Sequence, residues 1–122
     1  MAVDPFTERL ARVRERFVSA LESKIEDTCA AIPDLSGETP AVRETVGETY
    51  RRVHGIVGIG PTVGFAGTGR AARRLESILL MPHKAGRGLT IEEIAACKEA
   101  LHTLREAAAS ELQSFYSAWR RA

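Results

Sequence analysis

From Ile91 to Trp119 apolar residues recur at three- and four-residue steps: Ile91, Ile94, Cys97, Leu101, Leu104, Ala108, Leu112, Phe115 and Trp119. That spacing is the signature of one face of an α-helix. At about 1.5 Å per residue the helix is roughly 45 Å long, and so long a stripe must be covered by other elements. Three more segments carry matching stripes. The first holds Phe6, Leu10, Val13, Phe17, Leu21, Ile25, Cys29 and Ile32, opened by Asp4–Pro5 and stopped by Pro33. The second, opened by Thr39–Pro40 after the linker DLSGET, holds Val42, Val46, Tyr50, Val53 and Val57. The third holds Ala71, Ala72, Leu75, Ile78 and Leu79 and is expected to end near Met81–Pro82, before a polar, mobile loop HKAGRG. Thr90-Ile-Glu-Glu93 opens the last helix as a capping box, and Arg120 and Arg121 suit the negative end of its dipole. No segment shows sustained period-two alternation, the glycine-rich stretch being the one ambiguous case. The expectation is an all-α antiparallel four-helix bundle with up-down-up-down connectivity.

At 122 residues the chain reads as one domain, 1–122, with the leader MAVDPFT (residues 1–7) taken as an expression remnant and given no function. Basic and acidic side chains nearly balance, 17 against 16. Neither nucleic acid nor an anionic membrane is therefore expected as a partner, and the few aromatic residues make no base-stacking platform. Cys29 and Cys97 read as small apolar core residues in a reducing compartment. No run approaches the ~18 apolar residues of a membrane span and no signal peptide is visible, so a cytoplasmic location is expected.

The stretch RRVHGIVGIGPTVGFAGTGR, Arg51 to Arg70, resembles a phosphate loop on first sight. Gly58-Ile-Gly60-Pro-Thr-Val-Gly64 has one residue too many for a dinucleotide fingerprint, and its flanks are helical rather than a strand and crossover. Gly64 to Ala71 imitates a P-loop but puts Arg70 where lysine belongs and Ala71 where a magnesium-binding hydroxyl belongs. No nucleotide-binding element survives, so no kinase activity is expected.

If the second helix continues to about Gly58, His54 falls on the flank of its stripe, about 90° from the centre. Gly47 and Gly58 share that flank and Arg51 lies close by. Glycine inside a helix costs about 1 kcal/mol relative to alanine, so Gly47, Gly55 and Gly58 oppose the local fold unless clearance around His54 is their purpose. Gly60 to Gly69, with Pro61, are then left to make the turn into the third helix. On the residues alone two readings of His54 stand: a solvated helical histidine, or a reactive one cleared for a partner. A metal or hydrolytic site built from His54, His83, His102 and the cysteines has no ligand spacing to support it, and His83 is expected in the loop.

His54-Gly-Ile-Val57-Gly58, then Gly64 ten residues after the histidine, then Leu75-Glu76 at twenty-one and twenty-two, resemble histidine-containing phosphotransfer (HPt) domains of two-component signalling. Their pattern is HxxKG, a glycine six residues on, and an LE or LQ pair on the next helix. Length and helix number extend the resemblance over nearly the whole chain. Val57 stands where many members have lysine, and Thr68 where leucine is common. The resemblance implies that His54 is the phosphoacceptor, that Glu76 orients its imidazole and that Gly58 gives steric clearance. Arg51 and Arg73 would replace the lysine in stabilising the phosphoryl group, and Gly47, Gly55, Ile56 and Ile59 would dock the partner. Glu76 reads equally as a solvated charge, and Ile56 and Ile59 equally as core.

The implied protein is a phosphotransfer intermediate in a phosphorelay and not a stand-alone enzyme. Its partners would be response-regulator receiver domains or a hybrid histidine kinase. It would need no cofactor of its own, with Mg2+ on the receiver, and would work as a monomer. The alternative is a helical adaptor that docks a receiver or kinase without being phosphorylated.

Overall fold

The structure is a computed structural model describing residues 4–121, apart from the side chains of Trp119 and Arg121. Trp119 as the end of the apolar stripe, Arg121 as a cation at the helix terminus, and residues 1–3 of the leader therefore lie outside the described residues. Four helices follow one another: α1 (Pro5–Ala31), α2 (Pro40–Ile59), α3 (Ala66–Ala85) and α4 (Ile91–Arg121). Short 3-10 turns, Ile32–Asp34 and Gly60–Val63, follow α1 and α2. There is no strand among the described residues.

The helix starts come from local chemistry. The Asp4 carboxylate accepts the Thr7 amide at 3.2 Å and the Thr39 hydroxyl accepts the Val42 amide at 3.3 Å. Pro5 and Pro40 occupy the first-turn position where a missing N–H is harmless. At α4 the Glu93 amide donates to the Thr90 hydroxyl at 3.1 Å, and the Thr90 amide donates to the Glu93 carboxylate at 2.8 Å. Arg87 adds two bonds to the same carboxylate, at 2.7 and 3.1 Å.

Those Arg87 bonds, against an opposing effect of burial and helped by the Thr90 amide, hold the Glu93 carboxyl down at about 2. A carboxyl depressed in the folded state stabilises the fold above its unfolded value, 4.5, and loses that contribution as pH falls toward 2. Thermal melts from pH 6 down to about 2 are expected to show a smaller acid-induced drop in Tm for Glu93→Gln than for the native protein. Equal drops would remove Glu93 from the acid transition.

Neighbouring helices pack in the order α1–α2, α2–α3, α3–α4 and α4–α1, which makes a four-helix bundle. Leu21, Leu35, Ile56, Leu75, Leu79 and Leu104 are fully buried at its centre. Cys97 is buried there too, and burial raises its thiol to about 11. Cys29 is exposed, contrary to the core position expected of it. Thr28 takes the inward place instead: it is buried, with its hydroxyl donating to the Lys24 carbonyl at 2.7 Å, so the covered face of α1 runs through Leu21, Ile25 and Thr28 to Ile32 and leaves Cys29 outside. No helix among the described residues is long and apolar enough to cross a membrane.

Two segments differ from expectation. α3 does not stop at Pro82 but passes through it to Ala85. An internal proline costs a helix about 3 kcal/mol, yet Pro82 is buried and a good C-cap follows. Gly86 takes a left-handed φ of 65°, its amide donating to the His83 carbonyl and that of Arg87 to the Pro82 carbonyl. This is a Schellman cap, for which glycine is the favoured residue. The shortened loop beyond it is pinned, not loose. The Leu89 amide donates to the Leu35 carbonyl at 2.8 Å, and Gly88 lies directly against the backbone of Gly37.

The second difference is the turn into α3, which is tighter than the run of glycines suggested. Gly60–Val63 and Gly64, at φ 92°, complete the turn. Gly67 and Gly69 belong to the first turns of α3, where Gly69 packs against the Pro61 ring.

Candidate functional site

His54 lies in the last third of α2 with 64% of its side chain exposed. Its Nδ1 is hydrogen-bonded to the carboxylate of Glu76, which projects from α3 and is 17% exposed. An ionised carboxylate only accepts, so a neutral imidazole bonded to it carries its proton on Nδ1 and keeps a lone pair on Nε2. That second nitrogen makes no hydrogen bond among the described residues. The imidazole is thus fixed on one edge and open on the other.

The clearance around it is asymmetric. A side chain added at Gly58 or Gly55 would meet nothing within 4 Å. Gly58 is exposed, Gly55 half-buried, and Ile59 is 41% exposed beside them. This open ground lies toward the C-terminal end of α2.

Gly47, expected to bare the other side, does a different job. It is buried, and a Cβ there would come within 3.5 Å of the His83 ring and 3.2 Å of the Arg51 guanidinium. Its missing side chain makes room for residues of this chain and not for an incoming partner. Ile56 is also removed from any docking surface, because it is fully buried in the core. Val57, where the resemblance would place a lysine, is buried at 9% exposure and offers no charge.

Neither candidate arginine is hydrogen-bonded to the histidine. Arg51 turns its guanidinium back toward Gly47, and Arg73 is exposed one turn before Glu76 without bonding to His54 or Glu76. Among the described residues no group of three or more His, Cys, Asp or Glu side chains is placed to hold a metal.

Two features escaped sequence reasoning. The Tyr50 ring stacks against both His54, at 5.8 Å between centroids, and His83, at 4.7 Å. Its spacing to His54 is one helical turn, but apolar periodicity assigns Tyr50 wholly to the stripe. His83, expected in a loop, instead belongs to the last turn of α3.

The other feature is Glu111 of α4, whose carboxylate accepts the amides of Gly67 at 3.1 Å and Thr68 at 2.6 Å and the Thr68 hydroxyl at 2.6 Å. The glycine-rich stretch does cradle an anion on helix-start amides, but the anion is the protein's own carboxylate. Glu111 ties α3, which carries Glu76, to α4.

No family model matches this chain, and the searches of curated proteins and of solved structures gave no match.

Proposed function

We propose that this protein is a histidine-containing phosphotransfer protein, which takes a phosphoryl group from a receiver-domain aspartate onto His54 and passes it to another. The observation that carries the proposal is the pairing of an exposed imidazole with a half-buried carboxylate, on a helix face cleared by Gly58. The Nε2 lone pair attacks phosphorus in line, the N–P bond forms, and the bond to the aspartyl oxygen breaks with its electrons leaving on the carboxylate. The ring then carries positive charge, and Glu76 stabilises it through the Nδ1 proton. Transfer onward is the same step reversed on a second receiver. Phosphoryl transfer of this kind needs positioning and charge neutralisation more than acid–base groups, and Mg2+ on the receiver would supply the neutralisation that Val57 does not.

The contacts His54–Glu76 and Gly47–His83 support opposite directions for α2 and α3, as the up-down-up-down connectivity of HPt domains requires. The same proposal makes the protein a cytoplasmic monomer, with receiver domains or a hybrid histidine kinase as partners. Incubation with a panel of radiolabelled phospho-receivers is expected to give an acid-labile label on the native protein and none on His54→Gln. A label retained by His54→Gln would overturn the assignment. Receiver binding without any label would favour the adaptor alternative.

A further inference from the structure

Along α2, Gly47, Tyr50 and His54 follow one another at steps of three and four residues, on one flank of the helix. At the Gly47 end the His83 ring fills the space left by the missing side chain, within 3.5 Å of where a Cβ would stand. The rings of His83 and Tyr50 are nearly parallel, at 18° and 4.7 Å, and those of Tyr50 and His54 at 15° and 5.8 Å. His54 therefore meets a carboxylate at one ring nitrogen and the side of an aromatic stack along its plane. A hydrogen bond at Nδ1 alone fixes one atom and leaves the ring able to swing about it. A flat neighbour restricts that swing.

We propose that Tyr50, backed by His83, is a positioning residue for His54. The stack holds the imidazole plane so that Nδ1 stays on Glu76 and Nε2 points outward. The inference deepens the phosphotransfer reading and rests on it for its consequence, although the orientation itself is independent of any partner. His83 acts through Tyr50 and touches neither His54 nor the phosphoryl group. Gly47 belongs to the same device, since a side chain there would push the His83 ring or the Arg51 guanidinium aside.

The test uses the full chain with Tyr50→Leu, which keeps apolar bulk at this half-buried position, with Tyr50→Phe as the conservative variant, and with His83→Leu. Nitrogen-15 NMR of the His54 ring at neutral to mildly alkaline pH reads the tautomer directly. The native protein and Tyr50→Phe are expected to show one tautomer, protonated at Nδ1, and Tyr50→Leu a mixture. Transfer from a phosphorylated receiver is expected to slow roughly three- to tenfold in Tyr50→Leu, the scale of one aromatic contact. The receiver concentration at half-saturation should not change, Tyr50→Phe should recover most of the rate, and His83→Leu should fall between.

Native ring signals in Tyr50→Leu would overturn the positioning role whatever the transfer rate. A raised half-saturating concentration at unchanged maximal rate would overturn it too, by making Tyr50 a docking residue. If the native protein accepts phosphoryl from no receiver, the phosphotransfer reading fails, and the ring signals still decide the positioning.

Discussion

Gly58→Leu is expected to leave the bundle folded and to slow phosphoryl transfer at least about a hundredfold, the loss that misplacement of reacting groups by about 1 Å produces. Nothing lies within 4 Å of a Cβ at this position, so leucine enters without a clash. Removing a helical glycine should even raise stability by about 1 kcal/mol. Yet Gly58 stands one turn beyond His54, with neighbouring Cβ positions about 5–6 Å apart. A leucine there occupies the approach that, in the proposed transfer, a receiver aspartate takes to reach Nε2 in line. Circular dichroism melts and single-turnover transfer, measured on the same preparation, separate the two effects. A folded variant with native transfer rates would show that the open face is not the route of approach.

Gly88→Ala should have the opposite profile: a large loss of stability, with transfer intact in whatever fraction stays folded. A Cβ on Gly88 would stand 2.2 Å from the Gly37 carbonyl oxygen, 2.9 Å from the Gly37 amide nitrogen and 3.0 Å from the Leu35 carbonyl oxygen. All three are backbone atoms and cannot rotate aside. Relief requires the α3–α4 loop to lift from the α1–α2 linker, which breaks the bond from the Leu89 amide to the Leu35 carbonyl and loosens two buried leucines, Leu35 and Leu89. Overpacking of this kind costs about 2–3 kcal/mol, and Tm is expected to fall by roughly 10 °C in a domain of this size. An unchanged Tm would mean that the two loops do not meet as described.

The contrast between the two glycines shows what the sequence makes legible. The stripes and the caps at Asp4, Thr39 and Thr90 depend on residues three or four apart, so four helices and their starts follow from local chemistry. The His54–Glu76 pair was reached through a motif resemblance; helical period alone does not join residues twenty-two apart. Contacts fixed by the fold were out of reach. Glu111 meets Thr68 across forty-three residues, and neither residue type signals the other.

Helical rotation by itself leaves two flanks equivalent. His54 and Ile56 lie on opposite flanks of the α2 stripe, at similar angles of about 80–90° from its centre. One is 64% exposed and the other fully buried. Periodicity places a residue on a flank, but the packing of the neighbouring helices decides which flank is closed. Gly47 falls to the same limit: helical period puts it on the flank of His54, and His83 of α3 covers it there. α3 itself outran Pro82 because the gain from a Schellman cap at Gly86 lies beyond the proline, where a rule about prolines does not look.

Nε2 of His54 is the atom proposed to take the phosphoryl group. Phosphorus-31 NMR of the nitrogen-15-labelled protein after reaction with a phospho-receiver reads that atom directly. A single phosphoramidate signal correlated with Nε2 of His54 is expected, lost on acidification and discharged by a second receiver. A phosphoryl group on Nδ1, on His83 or His102, or on no residue after reaction with a full panel of receivers would contradict it.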